Sequence, residues 1–264
     1  MYYIMPKCLR MLDMSDCFTI KKDDIPSLPM RLLAIGRTGC GKSSVALGNL
    51  LLRKEFYRDD FIIPENIYIF SGSLKGDIKL RTIIEELDIP ASNLYDCFNE
   101  EQAHMIYDNA VNDFEDDISH NETPEHTLFI FDDLGFTNLQ KINKKNSILD
   151  KIFCNGRKYL ISTITLNQRL TQLSPTAREQ ASALLLWSST NKQLELVESD
   201  FNFMDGANPK KRFLNMIKKH TANKHDFIVM DLGKDKIYRN KDFKPICLCD
   251  GDENKCGGAK QPPK

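Results

Sequence analysis

Between positions 36 and 43 the chain reads Gly-Arg-Thr-Gly-Cys-Gly-Lys-Ser, with a further serine at 44. Every fixed position of G-x-x-x-x-G-K-[ST] is filled. The chemistry follows from the residue types. Glycines let a backbone curl around a bulky anion, and a helix opening directly behind supplies unpaired N–H groups and partial positive charge. Lys42 adds a full charge. A polyphosphate suits such a cradle: the backbone of Gly36, Arg37, Thr38, Gly39, Cys40, Gly41, Lys42, Ser43 and Ser44 wraps it, Lys42 bridges its β and γ oxygens, and Ser43 ligates Mg²⁺. ATP and Mg²⁺ are the cofactors expected.

A second acidic centre lies in "LFIFDDL", residues 128–134. An apolar run ending in Asp is common alone, and gains meaning beside a phosphate loop. Asp132, at a strand end, is placed to hold Mg²⁺ through water, and Asp133 to orient or deprotonate an attacking water. Ring ATPases usually carry Asp-Glu here, so the second aspartate shortens the reach by one methylene. The competing reading makes Asp133 a helix cap or a solvated turn. Gln168 closes "KYLISTITLNQ" (158–168), a strand expected beside the one bearing Asp132. Its amide would contact both water and γ-phosphate. Three arginines are candidates for neutralising transition-state charge: Arg157 first, then Arg178, with Arg37 inside the loop. Surface ion pairing is the competing role for each.

The elements that must position these groups alternate. Short apolar runs at 30–36, 66–72, 127–135, 158–168 and 181–189 read as strands. Segments 42–54, 78–89, 100–118, 146–156 and 191–201 read as helices, the fourth stopped by Gly156 as a C′ residue. "HDFIVMDLGKDKIYRN" (225–240) reads as a hairpin turning near "GKD", which would extend one sheet edge. The pattern predicts an α/β fold with a mainly parallel sheet covered on both faces and ligands beyond the C-terminal strand ends. The expected organisation is a lead-in over 1–27, one ATPase domain over 28–240 and a flexible tail over 241–264.

Composition sets the class. The chain has 264 residues, 41% hydrophobic and 28% charged, as in an ordinary globular protein. No apolar run is long enough to span a bilayer, and the N-terminus, broken by Pro6, Lys7, Arg10 and Asp13, lacks the apolar core of a secretory signal. Eight scattered cysteines, one inside the phosphate loop, suit thiols in a reducing compartment and an intracellular protein. Cys247-x-Cys249…Cys256 lacks the C-x₂-C spacing of a zinc knuckle. A net charge of −1 conceals asymmetry: no Lys or Arg occurs between Thr82 and Gln140, whereas eleven basic residues face five acidic ones from Asp205 to Pro245. That suits head-to-tail self-association or a polyanion held on one face; the plainer reading is solvated surface.

Taken in order, "PMRLLAIGRTGCGKSS", "TLFIFDDL", "GRKYLISTITLNQ", "LSPTAR" and the closing hairpin resemble the genome-packaging ATPases of the FtsK–HerA superfamily, in the poxvirus-type branch of large eukaryotic DNA viruses and virophages. The resemblance spans roughly 28–240. Lys158 departs from the Gly-Arg-His that often precedes the sensor strand in relatives. The resemblance implies a RecA-like P-loop core of the ASCE type, a pentameric or hexameric homo-oligomeric ring, and ATP-driven pumping of double-stranded DNA into a preformed capsid. It also implies a capsid or portal-vertex partner, action at a viral assembly site in the host cytoplasm, a sensor role for Gln168 and a trans-acting finger role for Arg157. Two rivals share the phosphate loop: a small-molecule or nucleoside kinase, and a non-enzymatic nucleotide-binding capsid adaptor. An AAA+ helicase fits less well, for want of a separate helical lid after Trp187.

Overall fold

The computed structural model describes residues 19–61, 63–133, 147–233 and 236–248. Eight strands form one sheet: β1 (Arg31–Ile35), β2 (Ile67–Ser71), β3 (Leu94–Tyr95), β4 (Thr127–Asp132), β5 (Ile161–Asn167), β6 (Ala183–Trp187), β7 (Phe227–Asp231) and β8 (Ile237–Arg239). Their order is β3-β2-β4-β5-β1-β6-β7-β8. Neighbours pair in parallel from β3 to β6, and β7 and β8 add an antiparallel edge. This is the mainly parallel α/β fold expected, with the hairpin on the predicted edge.

The central strands are buried on both faces because helices cover both, which is why β4 and β6 read as unbroken apolar runs. Alternation then divides their side chains. Leu32, Ala34, Leu128, Ile130, Ile164 and Leu166 point into one layer of core. Leu33, Ile35, Phe129 and Phe131 point to the other.

The first layer holds α1, whose Ser44–Asn49 stretch has π-helical hydrogen bonding before closing on Leu50–Leu52, and α2 (Ile78–Glu86). On the opposite face lie α3 (Glu100–His120), α4 (Ile148–Asn155), α5 (Pro175–Glu179), α6 (Asn191–Phe201) and α7 (Pro209–His220). Side chains close the N-termini as their sequences suggest: Asp77, Asn99, Ser147, Ser174 and Thr190 each accept from backbone N–H groups of the first turn.

Several expectations need correction. Helix α1 stops at Leu52, two residues early, because Arg53 is extended. Gly156 does not end α4 in a left-handed conformation: its φ is −54° and the chain continues as a 3-10 turn, Gly156–Tyr159. Leu160 takes the left-handed position, φ 54°, so β5 begins only at Ile161. A side chain at 156 would meet Ile161 Cβ at 3.2 Å, which accounts for the glycine. Strand β3 and helix α7 were not anticipated. Helix α7 is no lid, since Phe213, Met216 and Ile217 are buried in the core beside β7.

Described residues on either side of 28–240 pack against that span. Ile25 is buried, Asp23 and Asp24 are bound by Arg239, and Phe243 packs on Phe56 and Phe227. Cys247 is disulfide-bonded, whereas Cys40, Cys97 and Cys154 are free. Among the described residues no helix is long and apolar enough to cross a membrane, and no His/Cys/Asp/Glu group has metal-site geometry. Residues 1–18, the Lys234–Asp235 part of the expected turn and the tail from 249 lie outside the described residues.

Candidate functional site

Because β1, β2, β4 and β5 run parallel, their C-terminal ends meet at one edge of the sheet. Ile35 leads into the glycine loop, Ser71 ends β2, Asp132 ends β4, and Gln168 follows β5. The register sets Asp132 beside Ser71 on one side and Leu166 on the other. Around this junction lies a cavity of about 280 Å³ lined by Thr38, Gly39, Gly41, Lys42 and Ser43, facing Asp132, Asp133 and Gln168. Segments far apart in the chain therefore converge: the glycine loop, the end of β4 and the residue after β5, which the sequence singles out, and the residues after β2, which it does not.

Local geometry explains the loop. Gly41 takes φ 111°, a region closed to ordinary side chains. Gly36 is needed for closeness: a Cβ there would lie 2.7 Å from Cys40 Sγ and 2.8 Å from Trp187 Cβ. Lys42 Nζ donates to the carbonyls of Gly36 (2.8 Å) and Arg37 (3.2 Å), so its charge is held across its own loop. Outside the loop, His225 Nδ1 donates to the Cys40 carbonyl at 3.1 Å, tying the start of β7 to the cradle. Burial pushes the Cys40 thiol up, with the neighbouring Lys42 charge opposing.

Asp132 is buried, and its Oδ2 accepts from Ser71 Oγ (2.9 Å) and Ser73 Oγ (3.2 Å). Burial raises its carboxyl above the ordinary range, the two serine hydrogen bonds pull it back, and the charges of Asp133 and Asp77 add to the rise. A buried carboxylate steadied by two hydroxyls, sharing a cavity with the Ser43 hydroxyl, is an all-oxygen donor set of the kind Mg²⁺ takes. Asp133 has a left-handed backbone, φ 49°, which Asp tolerates better than most residues. Its N–H donates to the Leu166 carbonyl at 3.1 Å, and its Oδ1 accepts from Gln168 Nε2 at 3.3 Å. The Gln168 backbone N–H in turn donates to Gln172 Oε1 at 2.8 Å.

Arg157 and Arg178 do not line this cavity in their own chain. Arg157 is exposed in the turn before β5, at the opposite end of that strand, where its charge joins burial in lowering Arg31. Arg178 is engaged by Asp200 Oδ2 (2.8 Å) and the Leu173 carbonyl (3.1 Å). Arg37 is exposed on the loop. Sequence reasoning missed Ser71, which ends β2 and donates to Asp132, and Ser73, Asp77 and Lys79, which follow β2 along the cavity's far wall. None belongs to a motif; the only signal was that β2 ends beside β4.

Three comparisons bear on the chain. A model of the family described as "Poxvirus A32 protein" matches residues 95–261, more than half of the sequence. Comparison with curated proteins gives no significant match. Among solved structures, the genome packaging NTPase B204 from Sulfolobus turreted icosahedral virus 2, in complex with AMP, superposes with a TM-score of 0.54 at 15% identity, covering 82% of this chain and 97% of that one. The DNA-packaging ATPase B204 from Sulfolobus turreted icosahedral virus gives 0.50 at 14%, covering 83% and 100%. EssC (ATPases 2 and 3) from Geobacillus thermodenitrificans gives 0.51 at 13%, covering 86% and 41%. At such identities the superpositions speak for the fold, that of P-loop ATPases. With the fold agreeing and the family model spanning most of the chain from β3 onward, the protein belongs to the poxvirus A32 protein family.

Proposed function

We propose that the chain is an ATPase that drives double-stranded viral DNA into a preformed capsid. The observation that carries the enzymatic part is the Gln168–Asp133 hydrogen bond, 3.3 Å, over the same cavity as Lys42, Ser43 and Asp132. A carboxylate and an amide side by side, across the cavity from the glycine loop, support the reading that the terminal phosphate of a loop-bound nucleotide meets them. Lys42 leaves the loop carbonyls for β and γ oxygens. Asp133 takes the proton of the attacking water, and Gln168 holds that water against the γ-phosphate and senses its loss. Ser43 and, through water, Asp132 would hold Mg²⁺, which would supply charge neutralisation.

The remaining parts rest on family membership and on the DNA-packaging named for a structural neighbour. Copies form a ring, pentameric or hexameric, docked on a capsid or portal-vertex protein at the viral assembly site in the host cytoplasm. Arg157, remote from its own cavity, acts on the nucleotide of a neighbouring copy; Arg178, already paired with Asp200, is the weaker finger. Lysines of α7 (Lys210, Lys211, Lys218 and Lys219) contact DNA phosphates. The deciding experiment measures ATP hydrolysis with and without linear duplex DNA, with a nucleoside as control acceptor. Stimulation by DNA that vanishes in Lys42→Ala is expected. Phosphate transfer to the nucleoside would identify a kinase, and binding without turnover in every assembly state an adaptor.

A further inference from the structure

The far wall of the cavity carries a second ammonium group. Helix α2 begins at Ile78, and Asp77 caps it by accepting from the backbone N–H groups of Lys79 (2.8 Å) and Leu80 (3.3 Å). Its position is fixed from behind, because Leu80 and Ile83 are buried in the same core layer as Leu47, Leu50 and Leu51 of α1. From this anchored turn Lys79 extends across the gap, and its Nζ donates to Ser44 Oγ at 2.8 Å. Ser44 is the residue after the Mg²⁺-ligating Ser43, at the mouth of the loop. Lys79 thus lines the cavity together with Lys42 while belonging to a different element. Among the described residues no carboxylate lies within ion-pair distance of it. A neutral hydroxyl is its partner beside a cradle suited to several negative charges.

We infer that Lys79 is a phosphate ligand of the bound nucleotide, supplied in cis from α2, its ammonium exchanging the Ser44 hydroxyl for a phosphate oxygen. The inference rests on the reading of the cavity as a nucleotide site. Exchanging a neutral partner for an anionic one is favourable, since the ammonium gains a Coulombic attraction to the phosphate oxygen that a neutral hydroxyl cannot offer. It has a mechanical consequence: the segment after β2, whose Ser73 also donates to Asp132, is then bridged to the glycine loop by nucleotide.

The test measures binding of MgATP, MgADP and AMP to the full chain by titration calorimetry in wild type, Lys79→Ala and Lys79→Arg, with melting temperatures of the nucleotide-free proteins alongside. Lys79→Ala should keep the wild-type melting temperature and bind MgATP about tenfold or more weakly. Lys79→Arg should recover most of that loss. MgADP and AMP show which phosphates carry the effect. Wild-type affinity in Lys79→Ala overturns the inference, as does a loss of affinity that arginine does not restore or that follows a drop in melting temperature. Failure of the wild-type chain itself to bind MgATP is a separate outcome, which overturns the nucleotide reading and this inference with it.

Discussion

Asp132 works against the folded state when nothing cationic is bound. Burial raises its carboxyl, so between the ordinary carboxylate range and that raised value the native chain holds more protons than the unfolded one. Its contribution to stability therefore falls as pH rises through that window and is least unfavourable in acid. Asp132→Asn removes the ionisation while leaving a side chain that can still meet Ser71 and Ser73. Its nucleotide-free form should melt above wild type at neutral pH, with the gap closing as acid protonates the wild-type carboxyl, while ATP turnover is lost. A lower melting temperature at neutral pH would mean that the two serine hydrogen bonds outweigh burial. Asp133→Asn is expected to behave differently. A residue that acts only on the attacking water should cost on the order of 10²–10⁴ in kcat and leave MgATP affinity nearly intact. Parallel loss of affinity would assign Asp133 to binding instead.

Helices α4 and α5 depend on one hydroxyl. Ser174 Oγ accepts from the Ala177 N–H at 3.0 Å and donates to Asp150 Oδ1 in the first turn of α4, with both side chains buried. Ser174→Ala removes a cap and leaves a buried carboxylate without that donor, at a cost of about 2–3 kcal/mol by urea unfolding. A change below about 0.5 kcal/mol would show that water replaces the hydroxyl. What sequence disclosed at this scale follows from pattern strength. Runs such as "TLFIFD" and "ISTITLN" are legible because both faces are covered and β-branched or aromatic residues dominate. Helix α7 was hidden because "PKKRFLNMIKKH" reads first as a charge run; its helical signal was the spacing of Phe213, Met216 and Ile217. The glycine loop, both aspartates and Gln168 were legible because backbone geometry or strand-end placement restricts their types. Ser71, Ser73 and Lys79 were not, because they owe their place to the pairing of β2 with β4 and the seating of α2 on α1.

The proposed ring would make demands that one copy cannot meet, and mixing variants tests them. Arg157→Ala alone and Lys42→Ala alone should each be inactive. Mixed, they should regain part of the turnover, because a Lys42→Ala neighbour donates its intact Arg157 to an intact loop. No recovery in assemblies shown by mass to contain both chains would remove Arg157 from that role. Duplex binding should also weaken steeply with added salt, with a shallower slope once Lys210, Lys211, Lys218 and Lys219 are neutralised.

Strand β5 lies between β1 and β4, and the hydrogen bond from Met30 to Ser162 joins residues 132 positions apart. The phosphate cradle and the acids facing it are thus brought into register only by a strand made much later than β1 during synthesis. A nascent chain emerging with β1 and α1 alone has a loop but no floor to the pocket. Nucleotide capture would then report that β5 has joined β1 and β4, and chains stalled before residue 168 should be invisible to ATP.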